Sequence, residues 1–212
     1  MFHKATISDE QLDVLKSLAE IKKLTDKFYL ARGTALALRL GHRKSFDLDF
    51  FTFSKFDSDF FANLIKLDFG GAVQSLSEDT VNGSINKMGI SFFKYPYILI
   101  RETDRFYKIE LASLEDLTAM KLSAIMKRNT KRDFFDFYEL FKIYQLPELR
   151  NFFLEKFGQN GNSLYHLTRS LFYFEATDDE DEPVSLNGTS WETVKNYFLS
   201  KEKKIAKVFL SQ

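Results

Sequence analysis

Asp47 and Asp49 are the side chains of this 212-residue chain best suited to chemistry. They stand two apart within a run of apolar residues (Phe46, Leu48, Phe50, Phe51) that predicts a strand over 45–53. Strand side chains alternate between faces, so both carboxylates project from the same side. Two like charges so placed need a cation or a basic partner, and Mg²⁺ is the natural counter-charge, because it takes a few carboxylate oxygens together with substrate phosphates. Upstream, residues 28–31 predict a short strand, Gly33 and Thr34 a turn, and residues 34–40 a helix stopped by Gly41. A helix N-terminus behind a glycine turn offers N–H groups to a phosphate. A phosphate-holding turn followed by a metal-holding pair is equipment for phosphoryl or nucleotidyl transfer, where positioning and charge neutralisation carry most of the catalysis. Arg39, His42, Arg43, Lys44 and Ser45 lie between the two features as candidate phosphate partners.

A second constellation spans residues 121–138. On one helix Lys121, Ala124, Ile125 and Arg128 share a face, and a lysine on such an apolar stripe needs an anionic partner. Lys121 and Arg128 are candidate triphosphate cations. On the next helix Arg132 and Asp136 are four apart, and Asp133 and Asp136 three apart. Three readings stay open for these acids: internal ion pairs locking two helices together, orientation of Lys121, or a general base toward an acceptor hydroxyl.

The rest of the chain must position these groups. Ser8 to Gln11 has the spacing of a capping box ahead of a helix over 9–25, and a further helix is predicted over 57–67. Short strands follow at 72–76, 84–87, 90–93 and 107–110, with Asn82-Gly83 as a hairpin turn. From Ser113 onward the pattern is helical: 114–128, 131–145, 147–157, 161–174 and 190–209. This predicts an α+β protein, a mixed-sheet domain over 1–112 followed by a helical domain over 113–212. The acidic run 178–182 reads as a mobile, solvated loop.

Composition narrows the class. Zero net charge provides no global field toward nucleic acid, so local patches must do that work. The absence of Cys excludes disulfides and thiol chemistry and fits a reducing cytoplasm. No apolar run is long enough for a membrane span, and the N-terminus lacks a signal-peptide pattern. The 24 Phe residues are scattered and read as core, as does most of the cluster Phe92, Phe93, Tyr95 and Tyr97, although such rings could stack a base. Lys201, Lys203, Lys204 and Lys207 read as the solvated face of the last helix, and His3 and His166 lack metal-ligand spacing.

The segment from Gly33 to Phe50, taken with Lys121 to Arg128 and Arg132-Asp133 through Asp136, resembles the AbiEii/AbiGii toxin family of nucleotidyltransferases. The resemblance implies a minimal polymerase-beta-type nucleotidyltransferase sheet with flanking helices and a C-terminal helical half. It implies NMP transfer from an NTP to an acceptor hydroxyl, with tRNA as the expected acceptor and a cognate antitoxin as partner. Asp47 and Asp49 match the family's metal pair for Mg²⁺ or Mn²⁺, Gly33 and Thr34 its turn, Lys121 its lysine, and Asp133 or Asp136 its late acid, with Asp133 favoured. Two departures stand out. Arg32 occupies a position where the family usually has glycine, and the strand expected to supply a third carboxylate offers Ser91 instead, leaving Glu110 as the nearby substitute. The second departure raises one alternative, a catalytically impaired nucleotide- or RNA-binding module; a separate alternative keeps the transferase chemistry and modifies a protein hydroxyl.

Overall fold

A computed structural model describes residues 2–158, 161–175 and 177–211. Ser8 opens the first helix as a full capping box, its hydroxyl accepting from the Gln11 N–H while the Gln11 side chain accepts from the Ser8 N–H. That helix, α1 (Asp9–Leu18), does not continue to residue 25. Ile21 takes extended backbone and a separate turn, α2 (Lys22–Thr25), follows, so that Leu18 and Leu24 are both fully buried.

Next come β1 (Tyr29–Ala31), α3 (Arg32–Leu40), β2 (Leu48–Thr52) and α4 (Ser58–Asn63), the last running into a π-helical turn, Leu64–Asp68. The strands β3 (Ala72–Ser77), β4 (Thr80–Ile85), β5 (Met88–Lys94), β6 (Asp104–Phe106) and β7 (Ile109–Leu111) complete the sheet. The helices α5 (Leu114–Arg128), α6 (Lys131–Ile143), α7 (Leu146–Phe157), α8 (Gly161–Ser170) and α9 (Trp191–Leu210) follow, close to their predicted limits except that α8 stops four residues early.

The seven strands form one mixed sheet in the order β3-β4-β5-β2-β1-β7-β6. β2 lies antiparallel to β1 and parallel to β5, and β1 lies parallel to β7. The expected α+β class with a helical second half is what the chain adopts.

The hairpin expected at Asn82-Gly83 is not there: both residues lie inside β4, and the reversal into β5 falls at Asn86-Lys87, both in left-handed backbone (φ 48° and 75°). Gly83 serves close approach instead, since a Cβ there would sit 2.7 Å from the Ala72 carbonyl oxygen.

One face of the sheet is core. Leu48 and Phe50 of β2, Ile90 and Phe92 of β5 and Val81 of β4 are buried together, with Phe92 stacked on Phe50 and packed against Phe61 of α4. In the helical half Phe134 and Phe137 meet Phe198 of α9. Most of the phenylalanines are core or packed against it, as expected, while Phe46 and Phe53 are exposed.

On the other face the pairing register sets Ala31, Asp49, Ser91 and Asn82 side by side on β1, β2, β5 and β4. α5 lies over this face and also packs on α3.

Residues 178–182 are not a free acidic loop. Asp178 accepts from Trp191 Nε1 at 2.7 Å and pairs with Lys195, Glu180 accepts from the Lys131 N–H at 2.8 Å, and Glu182 accepts from the Trp191 N–H at 3.2 Å. Glu180 and Glu182 thereby sit at the N-termini of α6 and α9, where the helix dipole favours negative charge. Lys201, Lys203, Lys204 and Lys207 are exposed on α9, as expected.

Candidate active site

Tight local packing builds the site. Chain reversal from β1 into α3 places Arg32 in left-handed backbone at φ 58°, a conformation that favours glycine. The next position must be glycine for a different reason: a Cβ on Gly33 would lie 2.8 Å from Arg43 Nη2. Thr34 is buried, its hydroxyl bonded to Ser45 Oγ at 2.8 Å and to the Asp47 carbonyl oxygen. Thr34 and Ser45 thus hold the segment carrying Asp47.

β2 begins at Leu48 rather than at 45 because residues 43–45 are bound elsewhere. Arg43 bridges to Ser185, the Lys44 N–H donates to Val184 and the Ser45 N–H to Thr6.

Asp47 and Asp49 do share a face. Asp49 pairs across with Ser91, and Asp47 lies over Gly89, two residues earlier on β5, where a Cβ would come within 2.6 Å of its Oδ1. Their surroundings differ. Asp47 is 55 % exposed, with Arg132 Nη1 3.9 Å away, whereas Asp49 is 14 % exposed and bonded to Arg32 Nη1 at 3.1 Å. Burial raises the Asp49 carboxyl above its ordinary value, the Arg32 charge offsets this in part, and the Asp47 charge adds to it.

Beneath this pair lies a second, buried charge network. Asp136 is inaccessible to solvent and accepts from Arg43 Nε at 2.6 Å, Arg43 Nη2 at 2.8 Å and His42 Nε2 at 2.7 Å. Lys121 Nζ lies 2.7 Å from Asp136 and 2.9 Å from Asp133. Asp133 also accepts from Arg128 Nε and Nη2, each at 2.8 Å, and from Thr130 at 2.9 Å. Burial alone would raise both acids, but the charges of Arg43 and Lys121 hold Asp136, and those of Lys121 and Arg128 hold Asp133, well below the usual carboxylate range.

A depressed folded-state value adds stability above the unfolded carboxylate value of about 4, and that stability is lost as pH falls toward the folded value. The urea midpoint should therefore hold steady from about pH 7 to 5 and drop steeply below about pH 4. A flat midpoint down to about pH 3 would contradict it.

Several expected roles are corrected by this geometry. Asp133 and Asp136 are saturated with cations and are poor general bases, and Asp136 cannot touch a substrate. Lys121 is pinned between them, at the wall of the site rather than reaching into it. His42 is a buried partner of Asp136. Arg39 faces away from the pair and is bonded to the carbonyls of Ala112 and Leu111 and to Asp104, so it does not meet a phosphate there. Arg132 does not join Asp136 at helical spacing but reaches Asp47. Glu110 is no third carboxylate either: on β7, two strands from β2, it accepts from Thr103 at 2.5 Å and Arg105 at 2.5 Å. Among the described residues no group of three His, Cys, Asp or Glu could hold a metal.

Two cavities adjoin at this end of the sheet, and the carboxylates line the smaller. One of about 60 Å³ is polar, walled by Gly33, Asp47, Asp49, Lys121, Arg128 and Arg132 among others. The second, about 220 Å³, opens between the sheet face and α5 and is lined by Phe51, Phe93, Tyr95, Met120 and Ala124. Arg32, Lys121 and Arg128 line both. Phe51, Phe93 and Tyr95 belong to the site for a reason that no local motif carries, because the cleft forms only when α5 covers the sheet.

The chain is similar in sequence and in fold to known proteins. The model of the family described as "Nucleotidyl transferase AbiEii toxin, Type IV TA system" matches residues 13–112 and 92–191. The chain belongs to the AbiEii nucleotidyltransferase family. A relative of this AbiEii-family chain, "Uncharacterized protein aq_aa25" of Aquifex aeolicus (strain VF5), is 34% identical over 203 residues, covering 93% of this chain and 96% of the relative. Among solved structures, JHP933 of Helicobacter pylori shares the fold with TM-score 0.55 and 18% identity over 95% of each chain. The nucleotidyltransferase toxin MenT4 of Mycobacterium tuberculosis shares it with TM-score 0.52 and 16% identity, over 92% of this chain and 86% of that one. No helix among the described residues is long and apolar enough to cross a membrane.

Proposed function

We propose that this AbiEii-family nucleotidyltransferase transfers NMP from an NTP to a hydroxyl of RNA, with tRNA as the acceptor, and acts in the cytoplasm as a toxin countered by a cognate antitoxin. The observation that carries the reading is that a small cationic cavity of triphosphate character, which holds Asp47 and Asp49, shares Arg32, Lys121 and Arg128 with an aromatic cavity of nucleobase character. Asp47 and Asp49 would hold Mg²⁺ or Mn²⁺. The fit is chemical. Two carboxylates share one face, and the buried one already draws a cation, Arg32, to itself. Two hard oxygen donors leave the remaining positions to water and phosphate. When bound, the ion supplies neutralisation of the triphosphate and a more acidic acceptor hydroxyl.

The protein's own groups do the rest. Arg128 and Arg132, each more than half exposed, face the phosphates. Phe51 and Phe93, stacked 5.2 Å apart, offer the base an aromatic wall. The acceptor oxygen bonds to the α-phosphorus, the bond to the bridging oxygen breaks, and pyrophosphate leaves. Asp47 is the accessible carboxylate toward which the hydroxyl proton can move.

The division at residue 112 is retained as a proposal, since the last strand ends at Leu111. Mass spectrometry of tRNA after incubation with protein, Mg²⁺ and the four NTPs tests the acceptor. Added NMP on tRNA is expected, and an adduct on protein alone would move the acceptor to a polypeptide hydroxyl.

Gly89 provides an independent test of the metal pair. Gly89→Ala sets a methyl against Asp47 Oδ1, and the exposed carboxylate can swing aside at little cost. The thermal midpoint should change by no more than about 2 °C while Mn²⁺ affinity falls several-fold, about 5-fold by the ligand-positioning argument. Unchanged Mn²⁺ affinity would remove Asp47 from the ligand set.

A further inference from the structure

Arg32 is the one departure from the family's turn that reaches the proposed metal pair, and three features of it agree. Its backbone is held at φ 58°, where a non-glycine residue is strained, and strain of this kind concentrates at functional sites. Its Nη1 lies 3.1 Å from Asp49 Oδ1, on the buried carboxylate of the pair. Its guanidinium carbon stands 4.7 Å from the Phe93 ring centroid and 5.1 Å from that of Phe51, so the side chain rests on the aromatic shelf of the neighbouring cavity. A cation that is bonded to a metal-binding oxygen on one side and supported by an aromatic shelf on the other has two places to put its charge.

We infer that Arg32 is an internal counter-ion that competes with the divalent cation for Asp49 and makes metal loading depend on the nucleotide. Without nucleotide, Arg32 neutralises a carboxylate that burial makes costly to ionise. The guanidinium also repels a dication approaching the pair. A metal–triphosphate complex changes the balance, because its phosphates give the displaced guanidinium a new anionic partner while the metal takes Asp49. Without the guanidinium the pair would stand open to free metal. Arg32 is therefore a positioning residue that sets the order of binding. This inference rests on the proposed role of Asp47 and Asp49 as metal ligands.

The test is titration of Mn²⁺ alone, followed by electron paramagnetic resonance, against the full chain and its Arg32→Gly, Arg32→Asn and Asp49→Asn variants. Glycine and asparagine both accept positive φ, so neither should endanger the fold, and asparagine separates loss of charge from loss of side chain. Both Arg32 variants should bind Mn²⁺ about tenfold more tightly than the wild type, and Asp49→Asn should abolish binding. If the Arg32 variants bind no more tightly while Asp49→Asn still abolishes binding, the metal pair stands and the counter-ion role is overturned. If Asp49→Asn leaves Mn²⁺ binding unchanged, the metal reading fails and the inference falls with it.

Discussion

Replacing Asp136 with alanine is expected to destabilise the protein by about 4 kcal/mol, lowering the thermal midpoint on the order of 10 °C for a chain of this size. The carboxylate is fully buried and is the shared acceptor for Arg43, His42 and Lys121. Removing it leaves Arg43, itself buried, with the Lys44 carbonyl as its one other hydrogen-bond acceptor among the described residues. A buried charge without a partner is far more costly than a lost surface pair. The damage should reach the active site, because Arg43 packs against Gly33 and Lys121 walls both cavities. Thermal denaturation of the purified variant measures the effect. A loss below about 1 kcal/mol would mean that the network is not the keystone between α3, α5 and α6 that its geometry describes.

Asp49→Asn should do the opposite: transfer falls on the order of 1,000-fold or more, while the fold is kept. The expectation follows from the raised carboxyl of Asp49. A raised folded-state value means that the ionised group costs stability once pH exceeds the unfolded value of about 4, and at neutral pH that cost is present. Asparagine removes the charge, keeps the shape and leaves Arg32 partly exposed to solvent and supported by two rings. The thermal midpoint should therefore hold or rise. Activity lost with stability kept separates a functional carboxylate from a structural one, and the pair Asp49 and Asp136 differ in this respect although both are largely shielded from solvent. Wild-type transfer rates in Asp49→Asn would overturn the assignment.

Much of this is legible in the sequence, for a local reason. A glycine turn before a helix and an Asp-x-Asp on a strand are short-range patterns, and their joint spacing fixes which face carries the carboxylates. The helices after Ser113 were legible because their caps and apolar periodicity are also local. Side-chain partners were not. Arg132 and Asp136 have helical spacing, yet Asp136 is taken by Arg43 and His42, more than 90 residues away in sequence, and Arg132 is left to face Asp47. Arg39 looked like a phosphate ligand from its neighbours but points to β7, a direction set by how α3 packs. Asn82-Gly83 has the sequence of a hairpin turn but the position of a mid-strand close contact. Gly89 gives no sign of its role in the sequence, because the carboxylate it makes room for lies just ahead of β2, more than 40 residues earlier in the chain.

The most direct test of the site is a crystal structure with Mn²⁺ and a non-hydrolysable NTP analogue. An anomalous peak at coordination distance from both Asp47 and Asp49 is expected, with the triphosphate toward Arg128 and Arg132, the base against Phe51 and Phe93, and Arg32 withdrawn from Asp49. Nucleotide bound elsewhere, or metal that leaves Asp49 bonded to Arg32, would contradict the reading of this face of the sheet as a metal–nucleotide site.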